Sequence, residues 1–194
     1  MPTPTSPRPD APPLLVFNHQ VLDQCLRVVS AHAGPERPRY AGPVGSHLRH
    51  AIEHWQALVW PAQPGCVDYD ARPREAELEA SPALAQTRLK DLQQQLATWC
   101  ADTLSAPVQV RGQCGLTGEF DFTVPSTLGR ELAFVASHAV HHLALIRPHC
   151  LAQGIAIEAD LGKAPATVAH ELANARASTP TFSTDTPPTH HQET

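Results

Sequence analysis

The sequence predicts an all-α protein: a four-helix bundle, in the up-down-down-up arrangement, with a small β-hairpin inserted before the fourth helix and a short C-terminal helix. Apolar residues recur at helical spacing in four long segments, and Pro or Gly punctuates the ends of those segments. Only between Pro107 and Pro125 does the pattern change to period two. At 194 residues the chain is one domain's worth and long enough for a real core. Residues 1–13 and 177–194 are rich in Pro, Thr and Ser with almost no apolar content. They read as disordered tails on either side of a domain spanning 14–176. His190 and His191 fall in the second tail and are not read as ligands.

The first helix runs from Leu14 to about Ala33 on Leu15, Val16, Leu22, Leu26 and Val29, and Gly34-Pro35 ends it. His19 and His32 are read as surface or core-edge residues. The second helix spans about Val44 to Trp60 along Val44, Leu48, Ala51, Ile52, Trp55, Leu58 and Val59, and Pro61 stops it. Residues 61–80 form a long connection, of the kind that carries function or covers something. Its Arg72 and Arg74 read first as solvated surface arginines and second as contacts for an anionic group. Ser81-Pro82 is an N-cap followed by an N1 proline, so a third helix starts there and continues to about Leu104. Val108-Gln-Val110 and Phe120-Asp-Phe122-Thr-Val124 alternate around Gly112 to Gly118, a hairpin too short to stand alone. Ser126 caps the fourth helix, which Pro148 kinks or finishes before the turn at Gly154. A last helix covers about Ala166 to Ala175.

Net charge is −5, with no Lys/Arg cluster longer than a pair, which argues against a nucleic-acid partner. No apolar run reaches membrane-spanning length, and the first residues lack a charged-then-apolar signal pattern. The expectation is no membrane association and a cytoplasmic location. The five cysteines, Cys25, Cys66, Cys100, Cys114 and Cys150, are scattered without a C-x-x-C pair. They make neither a disulfide framework nor a zinc knuckle, and read mostly as reduced thiols packed as small hydrophobes.

The chemistry concentrates in Ser137-His138-Ala139-Val140-His141-His142-Leu143, within the helical run from Leu128 to Ile146. His138 and His142 are one turn apart, on a stripe shared with Phe134, Val135, Leu145 and Ile146. His141 points about 100° away from His142 and reads as partly solvated. Two imidazoles on an apolar stripe need partners. A divalent metal with a third ligand from another helix is one solution; simple hydrogen bonding is the other. The second helix carries a matching cluster, His47-Leu48-Arg49-His50-Ala51-Ile52-Glu53-His54. Helical-wheel arithmetic puts His47 and His54 at the edge of the apolar stripe and His50 further round, so periodicity prefers His47 or His54 as the third ligand.

Val44-Gly-Ser-His-Leu-Arg-His50, the Tyr69-Asp-x-Arg-x-Arg74 loop, and Ser126-Thr-Leu-Gly-Arg-Glu-Leu followed by Ser137-His-x-x-His-His142 resemble the DinB/YfiT-like superfamily of metal-binding four-helix bundles. The resemblance covers about residues 14–170. It implies a three-histidine site whose second-helix ligand falls on His50, with His138 and His142 from the fourth helix. His47 and His54 then remain as alternate ligands or supporting groups. Some members of the superfamily resemble thiol-dependent S-transferases or isomerases, and bundles of this type often pair, so a homodimer is expected.

Three neutral histidines leave a position open on a divalent metal, which lowers the pKa of a bound water or thiol. Glu53 or Glu131 could orient a ligand histidine by accepting its second N–H. Arg130 is a candidate for holding a substrate carboxylate. The expected function is a metal-dependent enzyme, of thiol-transferase or hydrolase type, acting with a low-molecular-weight thiol or another small molecule. The alternative is a non-enzymatic metal-binding or stress-response bundle in which the metal ties helices together. Imidazole suits zinc, nickel, iron and copper alike; the expected metal is zinc or nickel first and iron next, and no catalytic residue is assigned.

Overall fold

Four helices supply most of the buried apolar surface: α1 (Pro13–Ala31), α2 (Pro43–Val59), α4 (Pro82–Leu96) and α6 (Leu128–Ala152). The computed structural model describes residues 11–34 and 36–178. Most of both expected tails, with His190 and His191, lies outside the described residues, although Pro13 already belongs to α1. α1 packs on α4 and α6, and α2 packs on the same two helices. Leu22, Val29, Leu48, Ile52, Leu89, Leu92, Leu132 and Ile146 are fully buried between them. Trp55 is buried too, and its indole N–H donates to Asn18 Oδ1 at 3.0 Å. The Asn18 amide in turn donates to the Leu14 carbonyl at 2.9 Å, so no polar atom of the pair is left bare.

The chain is mostly helical but not all-α. A three-stranded sheet has the order β1 (Cys66–Asp68), β2 (Pro107–Cys114), β3 (Phe120–Thr127). β2 and β3 form the expected hairpin, antiparallel from Pro107 opposite Thr127 to Cys114 opposite Phe120. The addition is β1, which pairs parallel to β2 with Val67 opposite Val110. The long connection is therefore partly ordered, since α3 (Ala76–Ala80) follows β1 and buries Leu78. Three further boundaries differ from expectation. The third helix stops at Leu96, and a separate turn α5 (Ala101–Ser105) begins beyond an extended Cys100, whose backbone N–H bonds the Thr103 hydroxyl at 3.3 Å. Thr127, not Ser126, caps α6 by accepting from the Arg130 N–H at 3.2 Å. Pro148 does not end α6; the proline removes one N–H to the Ala144 carbonyl, at an exposed residue where water can replace it.

Burial corrects several side-chain expectations. His19 on α1 and His32 just past its end are core residues, each 3% exposed. Phe134 and Leu145 stand at the surface instead of sharing the buried stripe of α6. Cys25 and Cys150 are buried and Cys66 is half-buried, but Cys100 and Cys114 are exposed, unlike packed thiols. The described residues divide into two compact units, one up to Lys163 and one from Ala164 onward that holds α7 (Pro165–Ala177). No helix among the described residues is long and apolar enough to cross a membrane.

One glycine sets how closely α2 approaches α3. A Cβ on Gly45 would sit 2.0 Å from the Glu79 carbonyl oxygen, a backbone atom that cannot swing aside. Gly45→Ala should therefore destabilise the protein by about 2 kcal/mol through overpacking. The check is the urea midpoint at unchanged slope; a midpoint equal to that of the wild type would contradict the close approach.

Candidate metal centre

The packing of α2 on α6 brings His50 to His138 and His142. One ring nitrogen from each lies within 4.8 Å of the others, and all three residues are half-buried. Ring centroids are 5.0 Å apart for His50–His138, 4.6 Å for His50–His142 and 4.5 Å for His138–His142. The Nε2 atoms of His138 and His142 are 3.2 Å apart. Tetrahedral coordination at ordinary zinc–nitrogen lengths sets ligand nitrogens about 3.4 Å apart, so this edge already has the right span. The donor set also has the right chemistry, three imidazoles with no competing ammonium among them.

Of the alternatives, His47 and His54 flank the group and have other tasks. His47 Nδ1 lies 3.0 Å from His142 Nδ1. If His142 donates its Nδ1 proton to His47, its Nε2 lone pair faces the group of three, the arrangement by which an outer partner orients a metal-binding histidine. His54 is 5% exposed and donates its Nδ1–H to the His50 carbonyl at 2.7 Å. Its Nε2 is then an acceptor, met by Arg72 Nη1 at 3.0 Å. Both nitrogens of His54 thus have partners in this structure. His141 is exposed, as its wheel position predicts.

Arg72 is the residue that sequence reasoning misplaced. Its side chain is only 11% exposed and packs against the histidines, with Nη2 3.5 Å from His50 Nδ1 and Nη1 also donating to the Tyr69 carbonyl. Arg74 is exposed, as expected. Tyr69 and Phe134 complete the wall: Tyr69 stacks on His54 with centroids 5.4 Å apart, and Phe134 stacks on His138 at 5.7 Å. Neither residue was singled out as a site residue, although Tyr69 and Arg72 belong to the loop motif that carried the resemblance.

The two carboxylates expected to orient ligand histidines do something else. Glu53 accepts from Arg49 Nη1 at 3.2 Å and from the Glu75 backbone N–H at 2.8 Å, with Arg72 Nε at 3.8 Å. Glu131 accepts from the Tyr69 hydroxyl at 2.9 Å, the Ser126 hydroxyl at 2.6 Å and Arg130 Nη1 at 2.8 Å. Guanidinium and backbone donors meet Glu53, and hydroxyl and guanidinium donors meet Glu131; neither carboxylate is paired with an imidazole. Arg130 is largely exposed, with its guanidinium carbon 5.5 Å from the Phe134 ring centre beside the cluster.

Electrostatics keep these histidines uncharged. Burial, then neighbouring His54 and Arg72, holds His50 down to about 3. Burial leads for His54 and His142 as well, each also lowered to about 3. His47 and His138 are lowered by burial and by nearby histidines. At neutral pH every ring therefore offers a lone pair, as metal binding requires.

No family model matches the chain, and no solved structure does. A protein described as FK506-binding protein 5, from Rhizopus delemar, is 27% identical over 104 residues, which is 54% of this chain. The match spans 27% of that protein's length.

Histidines whose pKa falls on folding stabilise the protein above the unfolded value, near 6.5, and lose that contribution as pH falls toward 3. With chelator present, the urea midpoint of the wild type should be level above pH 7 and decline below about 6.5. His54→Asn should have a shallower decline between pH 6.5 and 5; an identical slope in both proteins would show that His54 is not held neutral by the fold.

Proposed function

We propose that this chain is a DinB/YfiT-like four-helix bundle and a metal-dependent enzyme, with His50, His138 and His142 as ligands of a divalent metal, zinc or nickel ahead of iron. The observation that carries the reading is the convergence of three uncharged ring nitrogens from α2 and α6 within 4.8 Å. Bundles build metal sites in this way, from side chains on facing helices. When bound, such a metal supplies Lewis acidity that makes a nucleophile of water or a thiol near neutral pH. The residues around the group do the rest. His47 and His54 are held by His142 and by Arg72, so a fourth position is left to a small molecule. Phe134 and Tyr69 give that position an apolar wall. Arg130, beside Phe134 and mostly exposed, is placed to pair with an anionic group on a low-molecular-weight thiol or other substrate.

Elemental analysis of protein purified without a metal-affinity tag should find about one equivalent of a transition metal, the stoichiometry of one three-histidine site. His50→Ala and His138→Ala should lose it, and His47→Ala should weaken it by about 10–100-fold, as loss of an orienting partner does. A wild type that stays empty after reconstitution with zinc, or a His50→Ala variant that keeps its metal, would sink the assignment. Cobalt-substituted protein titrated with 2-mercaptoethanol then separates two roles. New sulfur-to-cobalt absorption supports an open, catalytic position, and an unchanged spectrum supports a metal that only ties α2 to α6.

A further inference from the structure

The hairpin of β2 and β3 carries an apolar face that the bundle covers only in part. Residues paired across an antiparallel ladder stand on one side of the sheet. Val108, Val110, Gly112 and Cys114 therefore share a face with Ser126, Val124, Phe122 and Phe120. At one end of this face Val108 and Val110 are buried, with Val67 of β1 beside them. Toward the turn the same face is open: Val124 is 46% exposed, Phe122 37% and Phe120 62%. A Cβ on Gly112 would stand 3.1 Å from Phe122 Cζ, so the bare glycine lets that ring lie close over β2. The opposite face is polar, with Gln109, Arg111, Gln113, Asp121 and Thr123, as a solvated face should be.

The backbone of β3 is open as well. Gln109 donates its N–H to the Gly65 carbonyl at 2.8 Å, and Gln113 donates its own to Asp70 Oδ2 at 2.7 Å, both away from β3. Ladder bonds alternate along a strand, so Val108, Val110, Gly112 and Cys114 are the β2 residues that bond β3. On β3 the backbone groups of Asp121, Thr123 and Pro125 then turn to the other edge. No strand lies beside that edge among the described residues, whereas β1 and Asp70 cover the far edge of β2. Pro125 has no N–H, so the stretch able to pair ends there, with Asp121 and Thr123 as its donors. An unpaired edge next to an exposed apolar face is a template for another strand.

We propose that β3 pairs antiparallel with β3 of a second copy of this chain, about a two-fold axis at Phe122, so that two three-stranded sheets become one. The strand is complementary to itself in that register. Phe122 meets the partner's Phe122, and Phe120 meets the partner's Val124, so the exposed apolar residues cover one another. On the polar face Asp121 meets the partner's Thr123, and each such pair exchanges two backbone hydrogen bonds. The neighbouring registers are worse. An axis at Asp121 opposes two carboxylates, and an axis at Thr123 sets Asp121 against a proline and Phe120 against Ser126. A contact of this isologous kind closes at two copies. It covers few side chains, so the pair should separate on dilution. None of the clustered histidines takes part in it.

The test is sedimentation equilibrium of the full chain after chelator treatment, which keeps any metal-linked contact out of the reading. Between about 5 µM and about 500 µM the mean mass should rise from one chain toward two, the range of weak specific pairs. Thr123→Pro removes an edge N–H that the β2 ladder does not use, and pairing should be lost. Thr123→Asp sets like charges opposite each other and should weaken pairing by about ten-fold. Adding Asp121→Lys to that variant makes the opposed charges unlike and should restore it. Circular dichroism and the urea midpoint establish that each variant is folded. In the wild type, the amides of Asp121 and Thr123 should exchange with deuterium more slowly at the higher concentration. The mass of one chain throughout would overturn the proposal, and so would pairing that Thr123→Pro leaves unchanged. Slow exchange of those amides in a single-chain species would give the edge to a segment of the same chain. Failure of the double variant to recover pairing would overturn the register, and the proposal with it.

Discussion

The Glu53 carboxylate is fully buried on α2, and the arrangement around the histidines follows from how its charge is met. A carboxylate taken out of water loses several kcal/mol of hydration unless donors replace it. Here Arg49 comes from one turn earlier on the same helix, and the Glu75 N–H and Arg72 come from the loop after β1. The carboxylate therefore pins residues 72–75 onto α2. Arg49 also reaches Glu79 at 3.1 Å, extending the same network to α3 just where Gly45 permits close approach. Once Arg72 is pinned, it faces His50 and His54, the two histidines flanking Glu53 on the α2 surface. A segment that reads as an open loop thus becomes a wall of the histidine cluster.

What was legible in the sequence was what repeats. The four long helices announce themselves because each buries a stripe against two others, and repetition over fifteen or more residues makes that stripe visible. β1, α3 and α5 are three to five residues long; β1 and α3 each bury one residue, Val67 and Leu78, which leaves no period to detect. The break after Leu96 depends on an extended Cys100 and a Thr103 side chain, a local exchange of hydrogen bonds that outweighs continuing apolar spacing through Trp99. The sheet's parallel pairing joins residues some forty apart, and only the folded chain brings them together.

The histidines show the same division. His138 and His142 were legible as a pair because their spacing is one turn of one helix. The partner on α2 was not, because α2 is covered by α4 on one side and α6 on the other, so its buried arc is broad and its centre is not the direction of α6. His50 lies at the α6 side of that arc, grouped with His138 and His142, where the single-stripe wheel placed it outside. The carboxylates were misjudged for a different reason. Glu53 and Glu131 are close in sequence to ligand candidates, but arginine and tyrosine donors compete for them, and which donor wins is decided by loops.

Proton counting links these pieces. A neutral imidazole carries one N–H and one lone pair. His54 is fixed as an Nδ1–H tautomer by the His50 carbonyl, and its lone pair is spent on Arg72. His50 faces the same guanidinium through Nδ1 at 3.5 Å. If a metal takes Nε2, the proton must sit on Nδ1 and point at a cation; if a metal takes Nδ1, the guanidinium must leave. Either way, metal binding at His50 opposes the present position of Arg72. That position is set by Glu53 at 3.8 Å and by the Tyr69 carbonyl. A single guanidinium thereby bears on the metal site through one proton on one ring.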